Sequence, residues 1–315
     1  MRRKSNINFG KKKSKKLNVK KVAIVTLATV AITFVSVKGI GATTAYISEQ
    51  KQIRLEMKQK AEEERILAEK KLKEEEERKK MMIGVGPNGK AYADDAIEVA
   101  EKLKKYDYTN NGEKVVYLTF DDGTSTTNTE SILKTLKENG VHATFFLTGQ
   151  NIDAGGQKAK DLIKQELEDG HALANHSYTH DYKKLYPQRT LNLETFNADF
   201  KRTDDLLKDV LGPYFSTRVL RCPGGHMSWK QMEPLDEYLA ENNMASIDWN
   251  ALNGDAEGKK KNAQELTNMA IQTAQGKEMV VLLMHDTYGK EETAKSLPDI
   301  IKYFKDNGYA FRTLA

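Results

Sequence analysis

Residues 115–123 read Val-Val-Tyr-Leu-Thr-Phe-Asp-Asp-Gly, an apolar run that ends in two adjacent carboxylates and a glycine. A short run of β-branched and aromatic residues followed by turn-forming residues is typical of a buried strand. Similar runs recur to the end of the chain, separated by stretches in which apolar residues have helical spacing. This alternation predicts βα units that build a parallel sheet or barrel.

The predicted elements of this α/β fold all follow residue 113, and some 200 residues are enough to bury one core. Strands are expected at 115–120, 143–148, 172–174, 219–221, 244–247, 279–283 and 309–312. Helices are expected at 127–139, 158–169, 193–211, 230–242, 264–275 and 298–307.

Polar side chains fall at or just beyond the carboxyl ends of five of these strands. In a parallel barrel those ends converge on one face, where the active site is built. The sequence therefore predicts that one site contains the following residues: Asp121, Asp122, His176, His180, Arg221, Asp248 and His285. His142 and His171 have no such neighbours and are expected to be structural.

The spacing of His176 and His180 lets two imidazoles share a metal ion, and Asp122 can supply a third ligand. Two histidines and one carboxylate leave positions open for water, which is typical of a catalytic site. Zinc is the expected metal, with cobalt or another transition metal as the alternative. The lone Cys222 excludes a site built from several cysteines.

The neighbouring ionisable residues suggest acid–base catalysis. Asp121, beside the ligand Asp122, is the candidate general base, and His285, at the end of an apolar run, is the candidate general acid. Arg221 is expected to orient Asp121, and Asp248 to orient His285. Each motif alone also fits a turn or a hydrogen-bonded core residue, but their coincidence favours catalysis.

These motifs resemble those of the polysaccharide deacetylases, the NodB-homology domains of carbohydrate esterase family four, over residues 113–315. The resemblance implies a distorted (β/α) barrel, here (β/α)7, with the roles given above for the two aspartates and the histidines. It also implies that the residue after Pro223 donates a backbone N–H to the oxyanion. That residue is usually Tyr in the family and is Gly224 here.

The remaining two motifs place an acetyl pocket in the same site. By resemblance, Trp249 and Leu283 line the pocket that holds the acetyl methyl group. The Asp248-Trp249 motif aligns loosely, so Asp255 is a rival for the role of the aspartate that tunes His285.

The N-terminal 45 residues predict a membrane anchor. Residues 1–21 carry ten Lys and Arg and no acid, and residues 22–45 form the expected transmembrane segment. The positive charge places residues 1–21 in the cytoplasm and the rest outside the cell. A cleaved signal peptide is the alternative. Since the net charge is +5 for the whole chain and the ten basic residues of this tail exceed that excess, the rest of the chain is net acidic, and nucleic acid is not an expected partner.

Residues 46–83 are rich in Glu, Lys and other good helix formers and are expected to form a charged helical stalk. If 34 of these residues are helical, the stalk is about 50 Å long. Their irregular apolar positions allow at most a weak coiled-coil dimer. Residues 84–112 are expected to be a linker with one short helix.

Together, the resemblance and the anchor predict an extracellular hydrolase that removes N-acetyl groups from N-acetylglucosamine in peptidoglycan. A deacetylase of chitin, exopolysaccharide or O-acetylated xylan would share the mechanism and remains an alternative. A non-catalytic wall-binding module and a helical scaffold are the alternatives from other classes.

Overall fold

The computed structural model describes residues 40–315. The basic tail predicted at 1–21, and the predicted anchor as far as residue 39, lie outside the described residues. Within 40–315, no helix is both long enough and apolar enough to cross a bilayer.

The described chain contains nine α-helices and eleven strands. The helices α1–α9 are Ile40–Lys80, Ala96–Lys104, Thr129–Asn139, Gly149–Glu168, Tyr182–Leu185, Leu193–Leu211, Glu233–Glu241, Ala263–Ala274 and Glu291–Asp306. The strands β1–β11 are Met82–Ile83, Ala93–Asp94, Val115–Gly123, Thr144–Leu147, Ala172–Asn175, Phe215–Ser216, Val219–Leu220, Ala245–Ser246, Ala251–Leu252, Met279–His285 and Ala310–Leu314.

The chain divides into two compact units at residues 72 and 73. In the first unit, residues 40–72 belong to α1, and large apolar side chains such as Met57 and Leu67 are more than half exposed. Arg65 forms ion pairs with Glu62 and Glu69, one helical turn away on either side. Residues 40–72 thus form a charged, solvent-exposed helix, while their role as a stalk stays a prediction.

The second unit is built on a parallel sheet with β3 at its centre. Strand β10 pairs with one edge of β3 from Val115 to Asp121, while β4 pairs with the other edge beyond Thr119. From β4 the sheet continues through β5 and β7 to β8, and from β10 it continues to β9. All of these pairings are parallel.

The sheet curls because one chain segment bonds to both of its ends. Ile247 N–H donates to Leu220 C=O in β7, and Asn250 N–H donates to Val281 C=O in β10. The fold is thus a curled parallel α/β sheet. The predicted distorted (β/α)7 barrel is present as this curled sheet, in which β8 and β9 have two residues each and β11 shares one edge of β3 with β4.

Alternate residues of β3 enter two different cores, as expected for a strand covered on both faces. Val116, Leu118 and Phe120 pack in the cluster between the sheet and its helices, whereas Val115 and Tyr117 pack in the cluster on the concave side. The alternation of residues along β3 therefore determines which side chains pack against the helices and which pack on the concave side of the sheet.

Residues 84–112 contain the predicted short helix, α2, and they pack on this sheet. Strand β2 pairs with β11, Leu173 N–H donates to Gly84 C=O, and Val85, Ala96 and Val99 are buried.

Two helices begin earlier than the sequence predicts. Helix α4 begins at Gly149 but is kinked at Gly156, whose φ of 57° is not helical, and the predicted helix corresponds to the part after this kink. Helix α9 begins at Glu291 and contains Pro298, where the sequence suggested a start, because the preceding turn is held by buried residues such as Thr293 and Ala294.

Candidate active site

A bulge at the end of β3 brings two adjacent carboxylates to one place. Asp121 is opposite Phe146 and Gly123 is opposite Leu147, so Asp122 is an extra residue in the pairing with β4. Asp122 has φ 65°, a conformation that L residues rarely adopt. In a regular strand neighbouring side chains point to opposite faces, whereas here both aspartates lie within 3.6 Å of Nε2 of His176.

Asp122, His176 and His180 form a cluster that could hold a metal ion. Their candidate ligand atoms all lie within 4.8 Å of one another. The Asp122 Oδ1 atom is 3.6 Å from Nε2 of His176 and 3.5 Å from Nε2 of His180. The predicted spacing of the two histidines thus brings both imidazoles to the same carboxylate.

The chemistry of these residues fits a divalent cation. Asp122 Oδ1 is buried without a hydrogen-bond partner, and a cation would satisfy it. Burial and the nearby His180 lower the pKa of His176 to about 3, so its ring is neutral. Because Nδ1 of His176 donates to Arg221 C=O at 2.8 Å, its Nε2 lone pair faces the other ligands.

Asp199 on α6 holds the loop that carries both histidines. Its side chain accepts the backbone N–H of Tyr178 at 2.7 Å and of Thr179 at 3.0 Å, together with the Thr179 hydroxyl at 2.9 Å. Ser177 and His180 in this loop have φ 71° and 52°. The strained loop is therefore held by a buried carboxylate that no local sequence motif marks.

Arg221 contacts Asp121 as predicted from the motif. Its guanidinium donates to Asp121 Oδ1 at 2.6 Å, and also to Thr119 and to Ile247 C=O. The side chain is fully buried, and its charge lies over the Phe146 ring. This charge-assisted bond leaves Oδ2 of Asp121 facing His176.

Asp255, not Asp248, orients His285. Asp255 Oδ1 lies 2.7 Å from His285 Nδ1, and Oδ2 accepts the His285 N–H at 2.9 Å and the Thr293 hydroxyl at 2.6 Å. Burial lowers the pKa of His285, but the Asp255 bond and charge outweigh it, so the net pKa lies above 6.5. The prediction that Asp248 has this role is wrong. The alternative residue, Asp255, is the one that lies beside His285.

Asp248 instead fixes the loop after Cys222. Its carboxylate accepts the backbone N–H of His226 at 2.8 Å and of Met227 at 3.2 Å. The Asp248 carboxylate therefore stabilises a surface loop, whereas the loosely aligned motif predicts a catalytic role for it.

A cavity of about 290 Å3 opens at these groups. Its wall includes the predicted residues of the acetyl pocket and the oxyanion donor, namely Trp249, Leu283 and Gly224. A Cβ added at Gly224 would lie 3.4 Å from the Tyr182 ring and 3.0 Å from Trp229. Tyr182, which lines the same cavity, therefore occupies the space beside the glycine and supplies an aromatic wall.

Sequence reasoning missed four residues of this site: Asn151, Tyr182, Asp199 and Lys290. Asn151 Nδ2 donates to Asp122 C=O at 2.7 Å, across the bulge. Of these four residues, Tyr182 is the one that the sequence could have indicated, since it lies two residues beyond the predicted ligand His180. The others come from distant helices and loops, so no local pattern marks them.

The fold and the site together define a curled parallel α/β protein with an Asp-His-His cluster that could hold a metal ion, beside an aspartate and a histidine suited to acid–base catalysis. The polysaccharide deacetylase family model matches residues 108–237. The chain is 33% identical over 210 residues to a peptidoglycan-N-acetylglucosamine deacetylase of Bacillus cereus, covering 65% of this chain and 70% of that protein. This chain belongs to the polysaccharide deacetylase family, and it is a hydrolase of carbohydrate esterase family four.

Further similarities agree with this assignment. A peptidoglycan-N-acetylglucosamine deacetylase of Listeria monocytogenes is 32% identical, over 71% of this chain but only 42% of its own length. The structure of a Streptococcus mutans CE4 esterase is 38% identical, with a TM-score of 0.67 over 74% of this chain and 98% of that chain. The catalytic domain of an Eubacterium rectale peptidoglycan N-acetylglucosamine deacetylase is 29% identical, with a TM-score of 0.57 over 66% and 91%.

Proposed function

We propose that this chain is a metal-dependent deacetylase of peptidoglycan that removes the acetyl group from N-acetylglucosamine. The main support is one arrangement: Asp122, His176 and His180 form a ligand cluster, with Asp121 next to it and His285 on the wall of the same cavity. Binding a glycan without hydrolysis would require neither a buried Arg221–Asp121 pair nor a carboxylate-bound histidine, which disfavours a passive wall-binding module.

Asp122 Oδ1 and the Nε2 atoms of both histidines would hold the cation. When bound, a zinc ion or a similar divalent metal supplies a Lewis acid that polarises the acetyl carbonyl. His176 is held as a neutral ligand by its bond to Arg221 C=O.

The other residues of the chain divide the proton transfers. Asp121, fixed by Arg221, accepts the proton of the attacking water through Oδ2. The Gly224 N–H is the candidate donor to the oxyanion. His285 Nδ1 is engaged by Asp255, so Nε2 is the nitrogen that delivers a proton to the departing amine.

The substrate is inferred from relatives and from the N-terminal sequence. Three of the similar proteins described above are named as peptidoglycan N-acetylglucosamine deacetylases. The apolar segment after the basic residues 1–21 supports a cell-membrane location with the catalytic unit outside. Such a location would give access to wall glycan, and a weak dimer through the helical segment stays a prediction.

The test is to measure acetate released by the purified full chain from peptidoglycan, chitin oligomers and acetylated xylan, with added Zn²⁺ or Co²⁺ and with chelator. We expect release from peptidoglycan with metal and none with chelator. Greater release of acetate from xylan than from peptidoglycan would contradict the proposed substrate and indicate acetylated xylan in its place. Release that chelator does not affect would contradict metal dependence.

A further inference from the structure

A second cavity, of about 320 Å3, lies directly beside the catalytic one. Asp255, Ala256 and Lys290 line both cavities, so the two share a boundary at the base of His285. The second cavity therefore adjoins the part of the site that carries Asp255, the hydrogen-bond partner of His285.

Lysines dominate the wall of this second cavity: Lys259, Lys260, Lys261 and Lys290. The ammonium of Lys261 donates to Gly254 C=O at 2.8 Å, and that of Lys290 donates to Asp255 C=O at 2.5 Å. These bonds fix two of the ammonium groups at the cavity, but a neutral carbonyl does not cancel a positive charge. Lys259 and Lys260 are exposed and extend the basic surface outward.

The acids on the same wall already have other partners, although the Glu292 charge also acts on Lys260. Glu292 pairs with Lys295 at 2.6 Å and accepts the Ala263 N–H at 2.9 Å. The Asp255 carboxylate is bound to His285, and its side chain is only 3% exposed. Glu257, exposed near the shared boundary, is one further acid against four lysines. The cavity thus has an excess of positive charge.

We infer that this lysine-lined cavity is a subsite for a carboxylate carried by the sugar or peptide next to the N-acetyl group that is removed. The inference rests on the proposed function and refines its substrate class. Peptidoglycan strands carry carboxylates on their peptide substituents, and on the lactyl group wherever no peptide is attached to it, whereas chitin and xylan backbones are neutral. The lysines would therefore favour an anionic glycan over a neutral one of equal length.

The test compares kcat/KM for three substrates of equal length: a peptidoglycan strand fragment with free carboxylates, the same fragment with those carboxylates amidated, and an N-acetylglucosamine oligomer. The variant is the full chain with Lys259→Gln and Lys260→Gln. The matched control is Lys201→Gln with Lys208→Gln, which removes two exposed charges on α6, away from both cavities. A third variant, Lys259→Arg with Lys260→Arg, keeps the charge.

The expected readout is the ratio of kcat/KM for the carboxylate fragment to that for the amidated fragment. We expect this ratio to exceed one in the wild type, to fall about fivefold in the Gln variant and to decline with salt. The control and Arg variants should keep the wild-type ratio. A wild-type enzyme that is active but has a ratio of one, or a Gln variant with an unchanged ratio, would overturn the subsite alone. No acetate from any of the three substrates would instead overturn the proposed function.

Discussion

Nδ1 of His285 lies 2.7 Å from Oδ1 of Asp255, while the other oxygen of that carboxylate accepts the His285 backbone N–H at 2.9 Å. One side chain thus fixes both the ring and the main chain of the candidate general acid. The bond also favours the protonated imidazole, which is the form that an acid catalyst needs.

Asp255→Asn should lower kcat about 10- to 100-fold, the usual cost of losing a group that orients a catalytic residue. The pKa of His285 should fall, because the amide removes the negative charge that raises it. Activity requires protonated His285, so the alkaline limb of the pH–kcat profile should move to lower pH. An unmoved limb would contradict this role for Asp255.

Asp248→Asn is the matched comparison, since Asp248 accepts N–H groups from the 226–227 turn instead of contacting His285. We expect the alkaline limb of the pH profile to stay where it is in the wild type. A shift equal to that of the Asp255 variant would restore the role that the sequence assigned to Asp248.

Asp121→Asn should reduce kcat by about 10²–10⁴, because the amide cannot accept the proton of the attacking water. Zinc affinity, measured by calorimetry, should change much less, since Asp122 supplies the carboxylate ligand. Asp122→Asn should show the reverse order, with metal binding as its main loss. Equal loss of metal by both variants would mean that the two carboxylates are not divided in this way.

Asp199→Ala should weaken zinc binding about 10- to 100-fold by releasing the loop that carries His176 and His180. Asp199→Asn keeps one carbonyl oxygen able to accept the same backbone N–H groups, so its loss should be smaller. Calorimetry on the metal-free protein measures both. Affinities equal to the wild type in the Ala variant would show that the loop holds its shape without Asp199.

The stability of the fold should also depend on Asp286. Burial raises the pKa of this carboxyl from 3.8 to about 7, although the Thr129 hydroxyl bonds to it. Because the folded state holds the proton more tightly than the unfolded state, this contribution is complete below pH 4 and is lost as pH rises through 7.

In metal-free protein, the wild type should therefore lose stability relative to Asp286→Asn between pH 4 and 8, on the order of a few kcal/mol. Urea unfolding at several pH values measures the difference. Profiles that run parallel over this range would show that Asp286 is not protonated in the fold.

Much of the site could be predicted because its residues follow strands directly. The apolar run 115–120 predicts a buried strand, and parallel strands bring their carboxyl ends together, so Asp121, His176, Arg221 and His285 had to be near one another. The helix predicted over 193–211 is confirmed at both ends. Short-range patterns of residues predict such helices and strands because the type of each element depends mainly on the residues within it.

The sequence by itself determined the parallel α/β architecture, the two-histidine ligand pair and the family. Only the tertiary structure decided that Asp255 replaces Asp248 beside His285, that Asp199 holds the histidine loop and that four lysines meet at one cavity. The physical reason is distance along the chain: Asp255 and His285 are 30 residues apart, and Asp199 is 20 from Thr179. Such pairs are chosen by how loops pack on the sheet, which no local pattern of residues encodes.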